Sequence, residues 1–227
     1  MKPKELVDRA VVSLGKDGIL PVYRFNKLSF ESTQRPGGPW IYIRYSDKNC
    51  TLYRTFIFGY ISNRLPEKKQ FIPTECQKCY KVVVRPETYK ELLQLKEIME
   101  EMDFPSKCGT EKRAEVDALY GGYFYCNGLK EGRKRLEQVK FALLNTNMEA
   151  FLKRGCTEYE AKFGPSNKWK VTKFQRAVEQ EVNDRIHMDN YKYPQRETDK
   201  RQIMSDWKEF SEKIGDGYKG SHSYVTY

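Results

Sequence analysis

Two cysteines three positions apart, Cys76 and Cys79, constrain the fold of this chain more than any other feature. Two thiols at this spacing can hold one metal ion or one edge of an iron–sulfur cluster. The pair precedes a predicted strand over residues 80–84, whereas the thiols of a thioredoxin-type motif lie at a helix N-terminus that follows a strand. The spacing therefore predicts a ligand pair rather than a redox-active dithiol.

Three single cysteines follow the pair and are candidates to complete the site. Cys108 lies beside Pro and Gly residues in a predicted loop, which suits a ligand. Cys156 precedes a predicted helix, whose positive N-terminal end would stabilise a thiolate. Cys126 has a less favourable position beside an aromatic strand. The predicted ligands for metal or cofactor are, in order of preference, Cys76, Cys79, Cys108, Cys156 and Cys126.

The type of metal site follows from what the chain lacks. Structural zinc usually uses two paired knuckles, but this chain has one pair and only two histidines, His187 and His222. One pair plus isolated cysteines is more typical of an iron–sulfur cluster, of the 4Fe–4S type. We therefore predict an iron–sulfur protein that acts in redox or sulfur chemistry, with zinc as the alternative cofactor. Cys50 begins a predicted strand and is expected to be a packing residue.

No complete catalytic signature is present. The chain has no P-loop, dinucleotide-binding, zinc-protease or serine-hydrolase motif. Catalytic residues are therefore not predicted, and whether the protein is an enzyme stays open. A cluster with three protein ligands would leave an iron free to bind substrate, whereas four ligands would favour electron transfer.

The charge of the chain points to acidic partners. Lys and Arg number 41 against 31 Asp and Glu, a formal net charge of +10. This excess favours an acidic protein, such as a redox partner, or a nucleic acid. The alternative function is accordingly a zinc-stabilised basic module that binds nucleic acid or another protein. Its Lys and Arg side chains would contact phosphates, and Tyr42, Tyr45, Tyr123 and Tyr125 would stack on bases. Lys107 is expected to be a solvated side chain.

The N-terminal residues are charged where a secretory signal needs an apolar run, and no later segment is long and apolar enough to span a bilayer. We expect a cytoplasmic protein with no membrane partner. In that compartment its six cysteines would be reduced.

Apolar periodicity predicts an α+β fold. A helix over residues 4–14 precedes a β-rich meander, with strands over residues 19–25, 40–45 and 51–61. Helices flank this region, central loops carry cysteines, and the part after residue 150 is mainly helical. The predicted division is an α+β cysteine-site domain over residues 1–150 and a helical region over residues 151–227 packed on it, together forming one compact unit.

Overall fold

The computed structural model describes residues 2–16, 21–24, 27–30, 38–44, 55–65, 71–187 and 195–216. The fold is α+β, as the sequence predicts. Two compact units are built from interleaved segments: the first from residues 1–35, 47–77 and 168–191, the second from residues 36–46, 78–167 and 192–227. The predicted division at residue 150 falls inside the second unit, at the start of a strand. The predictions for Tyr45, Cys50 and His222 lie outside the described residues.

The described helices are α1 (Pro3–Lys16), α2 (Thr74–Gln77), α3 (Tyr89–Met102), α4 (Leu129–Ala142), α5 (Thr157–Phe163), α6 (Lys173–Arg185) and α7 (Glu197–Ile214), with a π-helix at Thr55–Ile61 and 3-10 turns at Ser62–Arg64 and Ser166–Lys168. The strands are β1 (Pro21–Arg24), β2 (Lys27–Phe30), β3 (Trp40–Arg44), β4 (Cys79–Val84), β5 (Ser106–Thr110), β6 (Tyr120–Asn127), β7 (Ala150–Arg154) and β8 (Ile186–His187). None of the helices within these described ranges is long and apolar enough to cross a lipid bilayer.

In the first unit, α1 and α6 share an apolar core. The buried side chains of α1 recur at helical spacing, and Leu6, Val7 and Ala10 are fully buried. They belong to one cluster with Val178 and Val182 of α6. The predicted helix over residues 4–14 is thus confirmed. Strands β1 and β2 form an antiparallel hairpin, and β8 pairs with β2 in parallel.

The strand predicted over residues 51–61 is wrong where the structure describes it, because Thr55–Ile61 is a π-helix. Its aromatic and β-branched residues have high strand propensity, which misleads the prediction. Phe56, Ile57 and Ile61 are all buried in the core of the first unit. Phe56 and Ile57 are neighbours in the sequence, and Ile61 follows Phe56 by five positions. A helix can direct all three side chains to one core, whereas a strand would direct Phe56 and Ile57 to opposite faces.

The second unit is built on an antiparallel five-stranded sheet in the order β3-β5-β6-β4-β7. Helices α3, α4 and α7 cover one face, where they pack on strand residues such as Val82, Phe124 and Leu152. The sequence predicts that β3 continues the N-terminal meander, but β3 pairs with β5. The reason is that Ile41 is fully buried among the side chains beneath these helices.

Candidate functional site

The two cysteines on the central strands belong to the helix-covered core. Cys108 was predicted in a loop, but it lies within β5 and is fully buried, and Cys126 lies in β6 with 3% of its surface exposed. Burial raises the pKa of Cys108 to about 12 and that of Cys126 to about 11. Cys108 pairs with Gly122, four residues from Cys126 along β6, which corresponds to roughly 13 Å along the strand. Their backbone positions are therefore too far apart for both to be ligands of one metal ion.

The other predicted ligands occupy different surroundings. Cys76 lies in α2 of the first unit, whereas Cys79 opens β4 in the second. Cys156 is the N-cap of α5, and its Sγ accepts a hydrogen bond from Lys81 Nζ at 3.3 Å. The backbone N–H of Gly155 donates to Cys79 O at 2.8 Å, which brings the chain segments of Cys79 and Cys156 together.

Within the described part of the chain, no group of three or more Cys, His, Asp or Glu side chains is arranged to hold a metal ion. The positions of the predicted ligands offer no support for a shared cluster or zinc ion. The iron–sulfur site therefore stays a prediction.

A different set of side chains converges on the sheet face opposite α3, α4 and α7. Directly opposed residues on neighbouring strands point to the same face. Tyr42 pairs with Lys107, and Lys107 pairs with Tyr123. In the next row, Lys81 pairs with both Tyr125 and Lys153. We call this surface the cationic face and define it by Trp40, Tyr42, Lys81, Lys107, Tyr123, Tyr125 and Lys153.

Tyr123 is the centre of the hydrogen-bond network on this face. Its hydroxyl oxygen accepts from Arg85 Nη1 and from Arg113 Nη2, each at 2.8 Å. The same hydroxyl donates to Glu111 Oε2 at 2.7 Å. Burial raises the pKa of Tyr123, although the two guanidinium groups oppose this shift. The buried phenol is thus held protonated as a donor to Glu111.

Glu111 and Arg113 fix the loop that connects β5 to β6. Arg113 donates to Glu111 through Nε at 2.7 Å and through Nη2 at 2.5 Å, and its Nη1 lies 3.4 Å from Glu158 Oε1. Burial alone would raise the pKa of Glu111, but the hydrogen bonds from Arg113 hold it below its usual value. A bidentate guanidinium–carboxylate pair of this kind holds both partners in one orientation.

Lys107 has unusual surroundings for a lysine. Its Nζ lies 4.1 Å from the ring centroid of Trp40, 5.6 Å from that of Tyr42 and 5.7 Å from that of Tyr123. Among the described residues, no carboxylate or other acceptor hydrogen-bonds to this ammonium group. Burial and repulsion from Arg113 and Lys81 lower the pKa of Lys107 to about 7. The expected solvated lysine is therefore a partly buried amine enclosed by aromatic rings.

The cationic face carries more positive than negative charge. Lys81 and Lys153 are both buried, and Lys153 Nζ contacts the carboxylate of Glu160. Around Tyr123 and these lysines, the described charges are the cations Lys81, Arg85, Lys107, Arg113 and Lys153 and the carboxylates Glu111, Glu158 and Glu160. Burial lowers the pKa of Lys107 and of Lys153 to about 7, and with both protonated the cations exceed the carboxylates by two. Because uncompensated charge is costly away from water, an anion bound here would be favourable.

Two glycines make room for this arrangement. A Cβ on Gly121 would lie 2.8 Å from Arg85 Nη1 and 3.1 Å from the ring of Tyr123, so the missing side chain leaves space for both. A Cβ on Gly109 would lie 1.8 Å from the backbone oxygen of Pro39, which directly precedes β3. Gly109 thus allows the start of β3, with Trp40, to approach β5 closely.

The sequence named part of this site and missed the rest. Tyr42, Tyr123 and Tyr125 were singled out as base-stacking candidates, and all three lie on the cationic face. Missed were Trp40, Lys81, Arg85, Glu111, Arg113 and Lys153. A signal existed at Lys81, a charged residue in the middle of an otherwise uncharged strand. Comparison of the chain with protein-family models, curated proteins and solved structures gave no match.

Proposed function

We propose that the second unit binds single-stranded nucleic acid on its cationic face. The observation that carries the proposal is the combination, on one sheet face, of aromatic rings with cations in excess over carboxylates. Single strands are bound without strict sequence preference by surfaces of this composition, since bases stack on aromatic rings and phosphates neutralise cations. The sequence predicts the same ligand class for its alternative function, a zinc-stabilised basic module that binds nucleic acid or another protein.

The architecture supports the proposal by analogy. An antiparallel sheet with helices on one side and aromatic side chains on the other is a known platform for unpaired RNA bases. Here Trp40, Tyr42 and Tyr125 are partly exposed and available for stacking, and so is Lys107 for a phosphate. Tyr123, only 3% exposed, supports them from below.

The proposal is tested by fluorescence anisotropy with labelled single-stranded DNA and RNA oligonucleotides. We expect the logarithm of affinity to fall linearly with the logarithm of salt concentration. Each neutralised phosphate contributes a slope of about −0.7 for a single strand. At about pH 6, where Lys107 with its pKa of about 7 is mostly protonated, the Lys107→Gln change should therefore reduce the magnitude of the slope by about 0.7. The matched control is Lys130→Gln, which removes an exposed charge from α4 on the opposite side of the sheet.

Stacking is tested separately with Tyr42→Leu, which keeps an apolar side chain and removes the aromatic ring. One base stacked on one ring is worth roughly 1–3 kcal/mol, so affinity should fall about tenfold or more. Tyr89→Leu, a partly exposed tyrosine at the start of α3, is the control. A salt-independent affinity, or equal losses in each variant and its control, would rule out the cationic face as the binding surface.

A further inference from the structure

The solvent-facing side of α4 carries a second surface, on the other side of the sheet from the cationic face. Positions three, four and seven apart on a helix share one face. The turn after α4 keeps Leu144 close to this face, because its N–H donates to Phe141 O at 3.3 Å. We call this surface the α4 stripe and define it by the exposed residues Lys130, Arg133, Lys134, Lys140, Phe141 and Leu144.

Two large apolar side chains lie at the C-terminal end of the α4 stripe, in contact with water. Phe141 is 77% exposed and Leu144 is 71% exposed. Their positions three apart place them on the same side of the chain. Single exposed apolar residues are common on protein surfaces, but neighbouring ones rimmed by polar groups mark sites of interaction.

A pocket of about 450 Å³ opens beside this apolar end, between the turn after α4 and the start of β7. Leu144 lines it together with Leu143 and Met148, which belong to the core beneath the helices. The Thr146 hydroxyl fixes the turn, since it donates to Leu143 O at 2.9 Å and accepts from Met148 N–H at 3.2 Å. A concave apolar site that is already formed suits a single side chain of a protein partner better than a flat lipid surface.

The rest of the α4 stripe is positively charged. Its cations are Lys130, Arg133, Lys134 and Lys140, and in the described part of the chain none of them forms a salt bridge. Glu131 of the same helix is already paired with Arg135 at 3.2 Å. The exposed carboxylates beside the stripe are those of Glu137 and Glu149, so the cations exceed them by two. The charge of this surface is therefore complementary to that of an acidic partner.

We propose that the α4 stripe binds an acidic segment of a partner protein that places one apolar side chain in the pocket. The carboxylates of the segment pair with the stripe cations, while Phe141 and Leu144 pack against its apolar side. Lys140 belongs to the stripe and also lines the pocket, so it is the cation nearest to the inserted side chain. The net charge of the chain predicts an acidic partner, and the α4 stripe gives that partner a location. Because α4 covers the sheet face opposite the cationic face, the inference does not depend on the proposed function.

Selection from a library of short random peptides displayed on phage tests the proposal. The full chain is the target, and peptides that also bind a variant carrying Lys140→Glu and Phe141→Ser are removed. We expect the remaining peptides to combine Asp or Glu with one aromatic or large aliphatic residue. A synthetic copy of one of them should bind the variant about tenfold or more weakly than the wild-type protein, measured by fluorescence anisotropy.

The matched control makes the same two changes at the end of α7, as Lys213→Glu and Ile214→Ser. Both residues are exposed, Ile214 by 55%, and they are also a lysine followed by an apolar residue. Peptide affinity should stay within about twofold in this control, because it lies outside the α4 stripe. Urea denaturation of both variants checks that each is folded.

Several results would overturn the inference. One is a selection that recovers no peptide sensitive to the α4 variant, and another is a set of peptides without acidic enrichment. Neither of these depends on the variant folding if the wild-type selection yields no acidic sequence. Sedimentation with phosphatidylserine–phosphatidylcholine vesicles that is lost in the α4 variant alone would assign the stripe to a membrane surface instead. Loss of oligonucleotide affinity in the α4 variant but not in the control would assign it to nucleic acid.

Discussion

At the scale of single residues, the hydroxyl of Tyr123 is the centre of a buried hydrogen-bond network in the second unit. The hydroxyl of Tyr123 receives two guanidinium donors and donates to Glu111, so three charged side chains meet at one buried oxygen. When a buried acceptor is removed, its donors stay out of water but lose the hydrogen bonds that offset their desolvation. Such a loss lowers the free energy of unfolding by about 1–3 kcal/mol. The aromatic ring contributes separately, because it packs edge to face against Trp40 with centroids 5.5 Å apart.

We therefore expect Tyr123→Phe, which keeps the ring, to lower the free energy of unfolding by about 1–3 kcal/mol, measured by urea denaturation. The control is Tyr89→Phe, since within the described residues no hydrogen bond involves the Tyr89 hydroxyl. Its change should stay within about 0.5 kcal/mol. Equal effects of the two substitutions would show that the network on Tyr123 adds no stability.

Lys107 predicts a pH dependence of stability. Its pKa is about 7 in the folded chain and about 10.5 as a free side chain. Between these values the unfolded chain binds a proton that the folded chain does not, so stability rises with pH across this window and is lost as pH falls toward 7. For one proton the slope is at most about 1.4 kcal/mol per pH unit.

Lys107→Met removes this linkage. In denaturation series at pH values between about 7 and 10, the variant should therefore show a flatter dependence than the wild-type protein. Parallel curves for the two proteins would mean that Lys107 keeps its proton throughout this pH range.

At the scale of elements, the sequence predicts what local periodicity encodes. Helix α1 is readable because Leu6, Val7 and Ala10 repeat at helical spacing. The Cys108 loop is a wrong prediction because Pro105 and Gly109 resemble turn formers, whereas Gly109 serves the close approach of Pro39 to β5. Likewise, the buried Lys81 has favourable partners only through tertiary pairing: β6 brings the ring of Tyr125 to 5.8 Å from its Nζ, and Cys156 Sγ accepts its hydrogen bond at 3.3 Å. Pairing between distant strands leaves no local pattern in the sequence.

The contact between β3 and β5 gives a prediction for Gly109→Ala. The added Cβ would lie 1.8 Å from Pro39 O, and a backbone atom cannot yield as a flexible side chain can. We expect the free energy of unfolding to fall by at least the usual cost of overpacking, which is about 1–3 kcal/mol. Gly59→Ala is the control, because no atom lies within 4 Å of its added Cβ. A Gly109→Ala protein as stable as the control would mean that β3 does not approach β5 in this way.

At the scale of the whole molecule, the predicted metal ligands are divided between different environments. Cys76 belongs to the first unit and Cys79 to the second. Cys108 and Cys126 face the helices, and Cys156 bonds to Lys81 on the cationic face. All five have 6% or less of their surface exposed, as small apolar side chains in packed cores do. Sequence spacing gives the separation of the thiols along the chain, but only strand register shows that Cys108 and Cys126 face the helices.

This division predicts the outcome of metal analysis on anaerobically purified protein. The iron–sulfur cluster and the zinc ion both stay predictions that this measurement tests, and whichever metal is found, we expect Cys108 not to be a ligand, because it lies in the helix-covered core roughly 13 Å along the strand from Cys126. We also expect Cys108→Ser to lower the unfolding free energy by about 1–3 kcal/mol, since it places a hydroxyl in an apolar core. Its metal content should equal that of the wild-type protein. Iron and acid-labile sulfide in near-equal amounts, with a broad absorption band near ~400 nm, would support the iron–sulfur prediction. If that metal were lost in the Cys108→Ser variant, the cysteines would have to gather around a cluster in an arrangement different from the one described.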